Sequence, residues 1–149
     1  TFLLAAKGLL ATVRGGPIAT QATDVAEMLA DAARCQVVLV TLPEATPVNE
    51  AVETAYALEE RVGVHLAPVV VNAVDDGPLL PVEAAKAGSP QQAAAEFRNA
   101  RRRLHADECA RLGTELALPQ IHLPMMPGAV LDAAGVDGLA AAWAGGSDA

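Results

Sequence analysis

The sequence predicts an α/β fold, a parallel sheet flanked by helices in three layers. Three observations predict it. Short apolar runs alternate with stretches of helical periodicity. Glycine and proline breakers separate them, and two of the runs lead into single polar residues. A length of 149 residues indicates one domain, or a half-domain of a larger one, and a hydrophobic share of 52% supplies material for a core.

The first predicted elements are a helix and a strand. A Gly-Gly-Pro breaker at residues 15–17 precedes a helix predicted over residues 20–33. Its buried face is marked by residues at helical spacing: Val25, Met28 and Leu29. The strand predicted over residues 36–42 is apolar on both faces, as is typical of a buried parallel strand.

The next predicted helix has recognisable ends. Thr46 is the expected N-cap, Pro47 takes the first helical position, and Gly63 ends the helix. Its predicted buried face consists of Val48, Ala51, Val52, Ala55 and Val62. Because a strand over residues 68–72 follows closely, strand, helix and strand form a βαβ unit with parallel strands.

The carboxyl-terminal half begins with a predicted surface loop over residues 75–90. Ser89 and Gln92 form a capping-box pattern that opens a long helix. The residues expected to face the core from this helix are Phe97, Ala100, Leu104, Leu112 and Leu116. A third strand over residues 120–123, a loop over 124–128 and a final helix with Leu139 and Trp143 complete the fold, and residues 145–149 are expected to fray.

Composition and charge exclude several classes of protein. A net charge of −8 argues against nucleic acid as a general partner. The basic run from 98 to 111 indicates a solvated helix face. Cys35 and Cys109 lack a C-x-x-C partner and are expected to be reduced packing residues, without a metal cluster. No apolar run reaches the roughly 18 residues of a membrane span, so we expect a cytoplasmic protein.

Two polar residues follow predicted strands. Glu44 comes after the first strand, and Asn72 ends the second. Residues just past the carboxyl ends of parallel strands face the ligand crevice, and an asparagine amide can both donate to and accept from an adenine edge. Taken singly, each residue is also explained by structure alone, Glu44 as a loop carboxylate and Asn72 as a turn residue.

A stiff apolar loop follows the third predicted strand. It consists of Pro124, Met125, Met126, Pro127 and Gly128. The prolines restrict its path, the glycine allows close backbone approach, and methionines adapt to flat apolar surfaces such as a purine. A structural turn explains this loop taken alone, whereas three strand ends around one crevice favour a ligand site.

The chemistry of phosphate transfer is not visible in this chain. No G-x-x-x-x-G-K-[ST] phosphate loop occurs, and the chain resembles half of a nucleotide site. The histidines pair with no candidate nucleophile at a recognisable spacing: His65, His105 and His122. We therefore assign no catalytic residue in this chain. Because the chain begins with threonine, we expect a fragment of a longer reading frame.

Four segments in this order resemble the anion-transporting ATPase family. They are Gly-Gly-Pro-Ile at 15–18, Val-Thr-Leu-Pro-Glu-Ala-Thr-Pro-Val-Asn-Glu at 40–50, Pro-Val-Val-Val-Asn at 68–72 and His-Leu-Pro-Met-Met-Pro at 122–127. That family includes arsenite-pump ATPases, ATPases that target tail-anchored membrane proteins, and bacterial relatives. The resemblance covers residues 15–143, and the alanine-rich composition is similar to that of high-GC actinobacterial members.

The resemblance implies a carboxyl-terminal half of a P-loop NTPase fold, with ATP and Mg²⁺ as cofactors of the complete protein. It implies that Asn72 reads the adenine, that residues 124–128 enclose it, and that Glu44 lies near the nucleotide at a dimer face. Two units working face to face imply a homodimer or a heterodimer with a paralogue. The implied client is an oxyanion or a hydrophobic protein segment, with a possible peripheral link to a membrane protein.

Two departures from the family pattern limit what carries over. The phosphate loop, the switch I aspartate and the Asp-x-x-Pro-x-G switch are absent, so this chain alone is not expected to hydrolyse ATP. Residues 83–90 lack the zinc-binding cysteine pair, and two distant cysteines do not form an arsenite triad. Two alternatives stay open: a non-catalytic partner subunit that regulates an intact paralogue, and a different doubly wound domain with another ligand. Three strands of a larger sheet would expose an unpaired edge, so we expect the isolated chain to be marginally stable or to associate.

Overall fold

The computed structural model describes residues 2–126 and 131–147. The helices are α1 (Ala5–Thr12), α2 (Pro17–Ala30), α3 (Ala45–Ala57), α4 (Pro90–Glu115) and α5 (Ala133–Ser147). The strands are β1 (Gln36–Val37), β2 (Val40–Thr41), β3 (His65–Leu66), β4 (Val69–Val74) and β5 (Gln120–Pro124). Short 3₁₀ helices cover Phe2–Leu4 and Val82–Ala84, and a π-helical turn, Leu58–Val62, extends α3. The predicted α/β class is confirmed.

All strand pairs in the described residues are parallel. β1 pairs with β3, and β4 lies between β2 and β5. The Val70 amide donates to the Leu39 carbonyl at 2.8 Å, so backbone pairing bridges the gap between β1 and β2. The predicted βαβ unit is therefore confirmed, although its first strand is divided into two short pieces.

The face of the sheet that carries Val40 is covered unevenly. Val40 of β2 and Val70 of β4 are register partners, yet Val40 is 66% exposed and Val70 is 2% exposed. Ile121 of β5 pairs with Val70, and α5 packs on it so closely that a Cβ on Gly146 would lie 3.0 Å from its Cγ2. The predicted burial of residues 36–42 on both faces is wrong, because β2 is an edge strand of the described sheet, and Val38, Val40 and Leu42 are exposed there.

The core lies between the other face of the sheet and helices α3 and α4. Its buried members are Val48, Ala55, Val69, Val71, Val74, Cys109, Leu112 and Leu116. The predicted buried face of α3 is confirmed, with Val52 half-buried at its margin. Both cysteines are free thiols, and burial, followed by the Glu108 charge, raises the pKa of Cys109. Cys109 is thus a packing residue, as predicted.

The predicted core face of α4 is partly wrong. Leu112 and Leu116 are buried, but Phe97 is 69% exposed, and Ala100 and Leu104 are exposed as well. The helix instead buries Ala95, Asn99, His105, Cys109 and Leu112. The polar members of this row find hydrogen-bond partners near the end of β4, which a count of apolar spacing does not reveal.

The helix ends agree in part with the predictions. Gly63 ends the α3 extension with a φ of 73°, and the Gln92 amide donates to Ser89 Oγ at 3.2 Å, both as predicted. α3 begins at Ala45, so Thr46 lies inside the helix rather than capping it. Glu44 occupies the N-cap position without a side-chain capping bond.

Helices α2 and α5 also differ from their predicted limits. α2 starts at Pro17, where Gly16 has a φ of 89°, and packs against α1. It buries Leu29 as predicted, but Val25 is exposed. α5 continues to Ser147, so the predicted fraying from residue 145 is wrong within the described residues. None of the described helices has the length and apolar character needed to cross a membrane.

Candidate functional site at the strand ends

Glu44 lies at the carboxyl end of the first strand, where the sequence predicted it. Its Oε1 accepts a hydrogen bond from Arg101 Nη2 of α4 at 2.8 Å. The side chains are 43% exposed for Glu44 and 46% exposed for Arg101, so the pair is accessible to solvent and to ligands. An exposed pair of this kind contributes little to folding, about 0–1 kcal/mol. Its carboxylate therefore remains available to another partner.

Asn72 is not at the end of its strand. β4 continues to Val74, and the pairing with β5 is irregular between Val71 and Val74, where Ala73 has a φ of 59°. Asn72 is exposed, and its side chain has no hydrogen bond within the described part of the chain. It lines a groove of about 380 Å³ formed largely by residues of β2 and α3, among them Thr41, Leu42, Pro47, Glu50 and Thr54.

The start of the proline–methionine loop is joined to the end of β4. Pro124 is the last residue of β5 and pairs with Val74, whose carbonyl accepts a hydrogen bond from the Met125 amide at 2.9 Å. The side chains of Met125 and Met126 are exposed. Pro127 and Gly128, which the sequence also assigned to the site, lie outside the described residues.

The predicted site residues share one edge of the sheet but not one groove. Glu44 lines a groove of about 420 Å³ with Phe97, Ala100, Arg101 and Leu104 of α4. Asn72 lines the separate groove beside β2, and Met125 lines neither. A cleft of about 750 Å³ lies between residues 3–4 and the end of α3, and none of the predicted site residues that the structure describes lines it.

Several charged or titratable side chains at the strand ends were not assigned from the sequence. Together with Glu44 they form the strand-end cluster: Glu44, Asp75, Arg98, Arg101 and His105. Arg98 Nη2 donates to Asp75 Oδ1 at 2.9 Å, and Arg98 Nη1 donates to the Pro78 carbonyl at 3.0 Å. Three of the five arginines of the predicted solvated basic face are therefore ion-paired, since Arg101 pairs with Glu44 and Arg111 pairs with Glu108 and Glu115.

His105 occupies the centre of the strand-end cluster and is 1% exposed. Its Nδ1 lies 3.3 Å from the Asp75 amide nitrogen, and its Nε2 lies 3.3 Å from Arg101 Nε. Burial, and then the Arg101 charge, lower the pKa of His105, whereas the carboxylates of Glu44 and Asp75 act in the opposite direction. The ring is consequently neutral at pH 7.

A sequence signal for this cluster does exist. Arg98, Arg101 and His105 are spaced by three and four residues, which places them on one side of a helix. The same spacing is typical of a solvated charged face. Only the position of Asp75 and Glu44 in the fold distinguishes the strand-end cluster from such a face.

The strand ends present hydrogen-bonding, charged and apolar groups. Within residues 2–126 and 131–147, no group of three or more His, Cys, Asp or Glu side chains is arranged to hold a metal ion. The site offers an exposed amide, an accessible ion pair and two exposed methionines. No family model matches this chain, and a search of curated proteins also finds no match.

Proposed function

We propose that this chain is the base-binding half of a cytosolic ATPase of the anion-transporting type. ATP binding and hydrolysis by the complete protein would close a dimer and gate the binding of a client, either an oxyanion or a hydrophobic protein segment. The observation that carries the proposal is the parallel sheet itself. The strands that lead to Glu44, Asn72 and Met125 are neighbours, so their carboxyl ends share the edge where such folds bind ligands.

The residues of this chain fit a purine base. The Asn72 amide is exposed and can both donate and accept, as an adenine edge requires. Met125 and Met126 add exposed, adaptable apolar surface beside the end of β4. The phosphates and Mg²⁺ would be held by a phosphate loop, a motif that does not occur in this sequence.

The open edge of the sheet supports the proposal that the chain is half of a larger three-layer P-loop fold. No strand in the described residues pairs with the outer edge of β2, and the side chains of Val38, Val40 and Leu42 are exposed there. A long exposed apolar edge is unfavourable for an isolated sheet. Further strands and helices of a complete ATPase would cover it.

The test is nucleotide binding by the intact reading frame, comparing Asn72→Ala with the control Asn49→Ala on the exposed side of α3. ATP should bind with Mg²⁺, and the Asn72 variant should lose about tenfold or more of its preference for adenine over guanine, because paired hydrogen bonds to a base edge are removed. Titration calorimetry with both nucleotides measures this. If a folded, intact protein binds no nucleotide, the ATPase proposal fails.

A partner subunit without a phosphate loop is the second candidate. The open β2 edge favours it as well, because an intact paralogue could cover the same surface. The true start of the gene separates the two candidates. An in-frame phosphate loop upstream supports the ATPase, and a start codon near Thr1 supports the partner subunit.

A further inference from the structure

Three side chains of α4 hold the loop that follows β4. Arg98 pairs with Asp75, and Asn99 both donates to the Leu80 carbonyl at 2.9 Å and accepts from the Leu80 amide at 2.8 Å. The third contact is from the Asp75 amide to His105 Nδ1 at 3.3 Å. Among these contacts, the one made by His105 depends on a group that titrates near neutral pH.

The ring of His105 meets an N–H donor at each of its nitrogens, the Asp75 amide at Nδ1 and Arg101 Nε at Nε2. A neutral imidazole has one acceptor nitrogen and one N–H, so it can satisfy only one of these donors. The Asp75 amide is part of the backbone and cannot turn away. The Arg101 side chain is half-exposed and can donate to water instead. This difference favours Nδ1 as the acceptor and Nε2 as the nitrogen that carries the ring proton.

We propose that His105 is a protonation-controlled clamp on the end of β4. In the neutral ring, Nδ1 accepts from the Asp75 amide and joins α4 to the loop. When a proton from solvent adds to Nδ1, an N–H bond forms with the ring lone pair, no covalent bond is broken, and the hydrogen bond from the Asp75 amide is lost. The backbone amide of Asp75 is then released from the ring, while Arg98 continues to hold the Asp75 carboxylate and Asn99 continues to hold Leu80.

The charges around His105 connect this clamp to the neighbouring strand end. Arg101 approaches the ring from α4, Glu44 from the start of α3, and Asp75 from the end of β4. Arg101 also holds Glu44, so a positive ring would repel the guanidinium that positions this carboxylate. Protonation thus affects the ends of both β2 and β4. The inference depends on contacts inside this chain and is independent of the ligand that the strand ends bind.

Hydrogen exchange and nitrogen NMR of the full chain test the clamp between pH 8 and pH 5. At pH 8 the ring proton should be on Nε2. As the ring takes up its second proton, the protection factor of the Asp75 amide should fall by at least about tenfold. The Leu80 amide should keep its protection, which distinguishes local release from unfolding. His105→Gln should abolish the pH-dependent fall, and the control His65→Gln should retain it.

Two results would overturn the proposal: a ring proton on Nδ1 at pH 8, or unchanged Asp75 protection while His105 becomes protonated. A second variant covers the case in which His105→Gln does not fold. Arg101→Met removes the like charge beside the ring, so ring protonation and the fall in Asp75 protection should move together to higher pH. If Arg101→Met shifts the pH at which the ring is protonated but not the pH at which the Asp75 amide loses its protection, the clamp is also refuted.

Discussion

At the scale of single residues, buried polar side chains, rather than apolar ones, determine which side of α4 faces the loop after β4. Asn99 and His105 are buried, and both have hydrogen-bond partners in the loop that follows β4, Leu80 for Asn99 and Asp75 for His105. A buried polar group without a partner destabilises the fold by about 1–3 kcal/mol. The loop after β4 and the register of α4 are therefore mutually dependent, and Phe97 remains outside the core as a consequence.

The free energy of unfolding should decrease as the pH falls below about 6.5, the ordinary value for an unfolded histidine. The folded-state pKa of His105 is lowered, so between the two pKa values the unfolded chain binds more protons than the folded one. The contribution of His105 to the free energy of unfolding is therefore fully present above this range and is lost as the pH falls through it. Urea denaturation at several pH values measures the effect.

His105→Gln should remove the pH-dependent contribution of His105 to the free energy of unfolding, and His65→Gln should leave that contribution in place. Identical pH profiles for His105→Gln and the unsubstituted chain would show that His105 does not contribute.

At the scale of secondary-structure elements, β2 and β4 share a parallel ladder but differ in surroundings. Their register partners Val40 and Val70 are the same residue type in the same kind of strand. α5 packs on β5, the neighbour of β4, whereas Val40 of β2 is 66% exposed. The two valines thus separate the effect of burial from the effect of strand propensity.

We expect Val70→Ala to decrease the free energy of unfolding by about 2 kcal/mol, because two buried methyl groups are lost and a cavity is left. Val40→Ala should change it by no more than about 0.5 kcal/mol. Equilibrium denaturation of both variants measures the difference. An equally large loss for Val40→Ala would indicate that β2 is covered in solution.

At the scale of the whole molecule, one group of exposed apolar side chains lies at the open edge of the sheet. A row of exposed apolar side chains extends from the residue after β1 to the residue after β2. It consists of Val38, Val40 and Leu42. Unpaired backbone groups next to such a row favour pairing with another chain. The fold therefore predicts association of the isolated chain.

Sedimentation should show concentration-dependent association, and Val40→Lys should weaken it, because a charged side chain on an edge strand opposes pairing. Leu10→Lys on α1, an exposed apolar position away from the sheet, is the matched control. A monomeric chain that melts cooperatively at high concentration would contradict the prediction.

By itself, the sequence determined the class of the fold, the order of α2 to α5 with β2, β4 and β5 between them, and the buried face of α3, whereas α1 and β3 were not predicted. These depend on local periodicity and on breakers such as Gly63, which act within one or two helical turns. It also placed Glu44 correctly, because a strand end is a local feature. The tertiary structure decided which residues of α4 are buried, where β4 ends, and which face of β2 is open. These depend on partners distant in the chain, Asp75 for His105 and Leu80 for Asn99, and a polar residue is buried only where such a partner satisfies it.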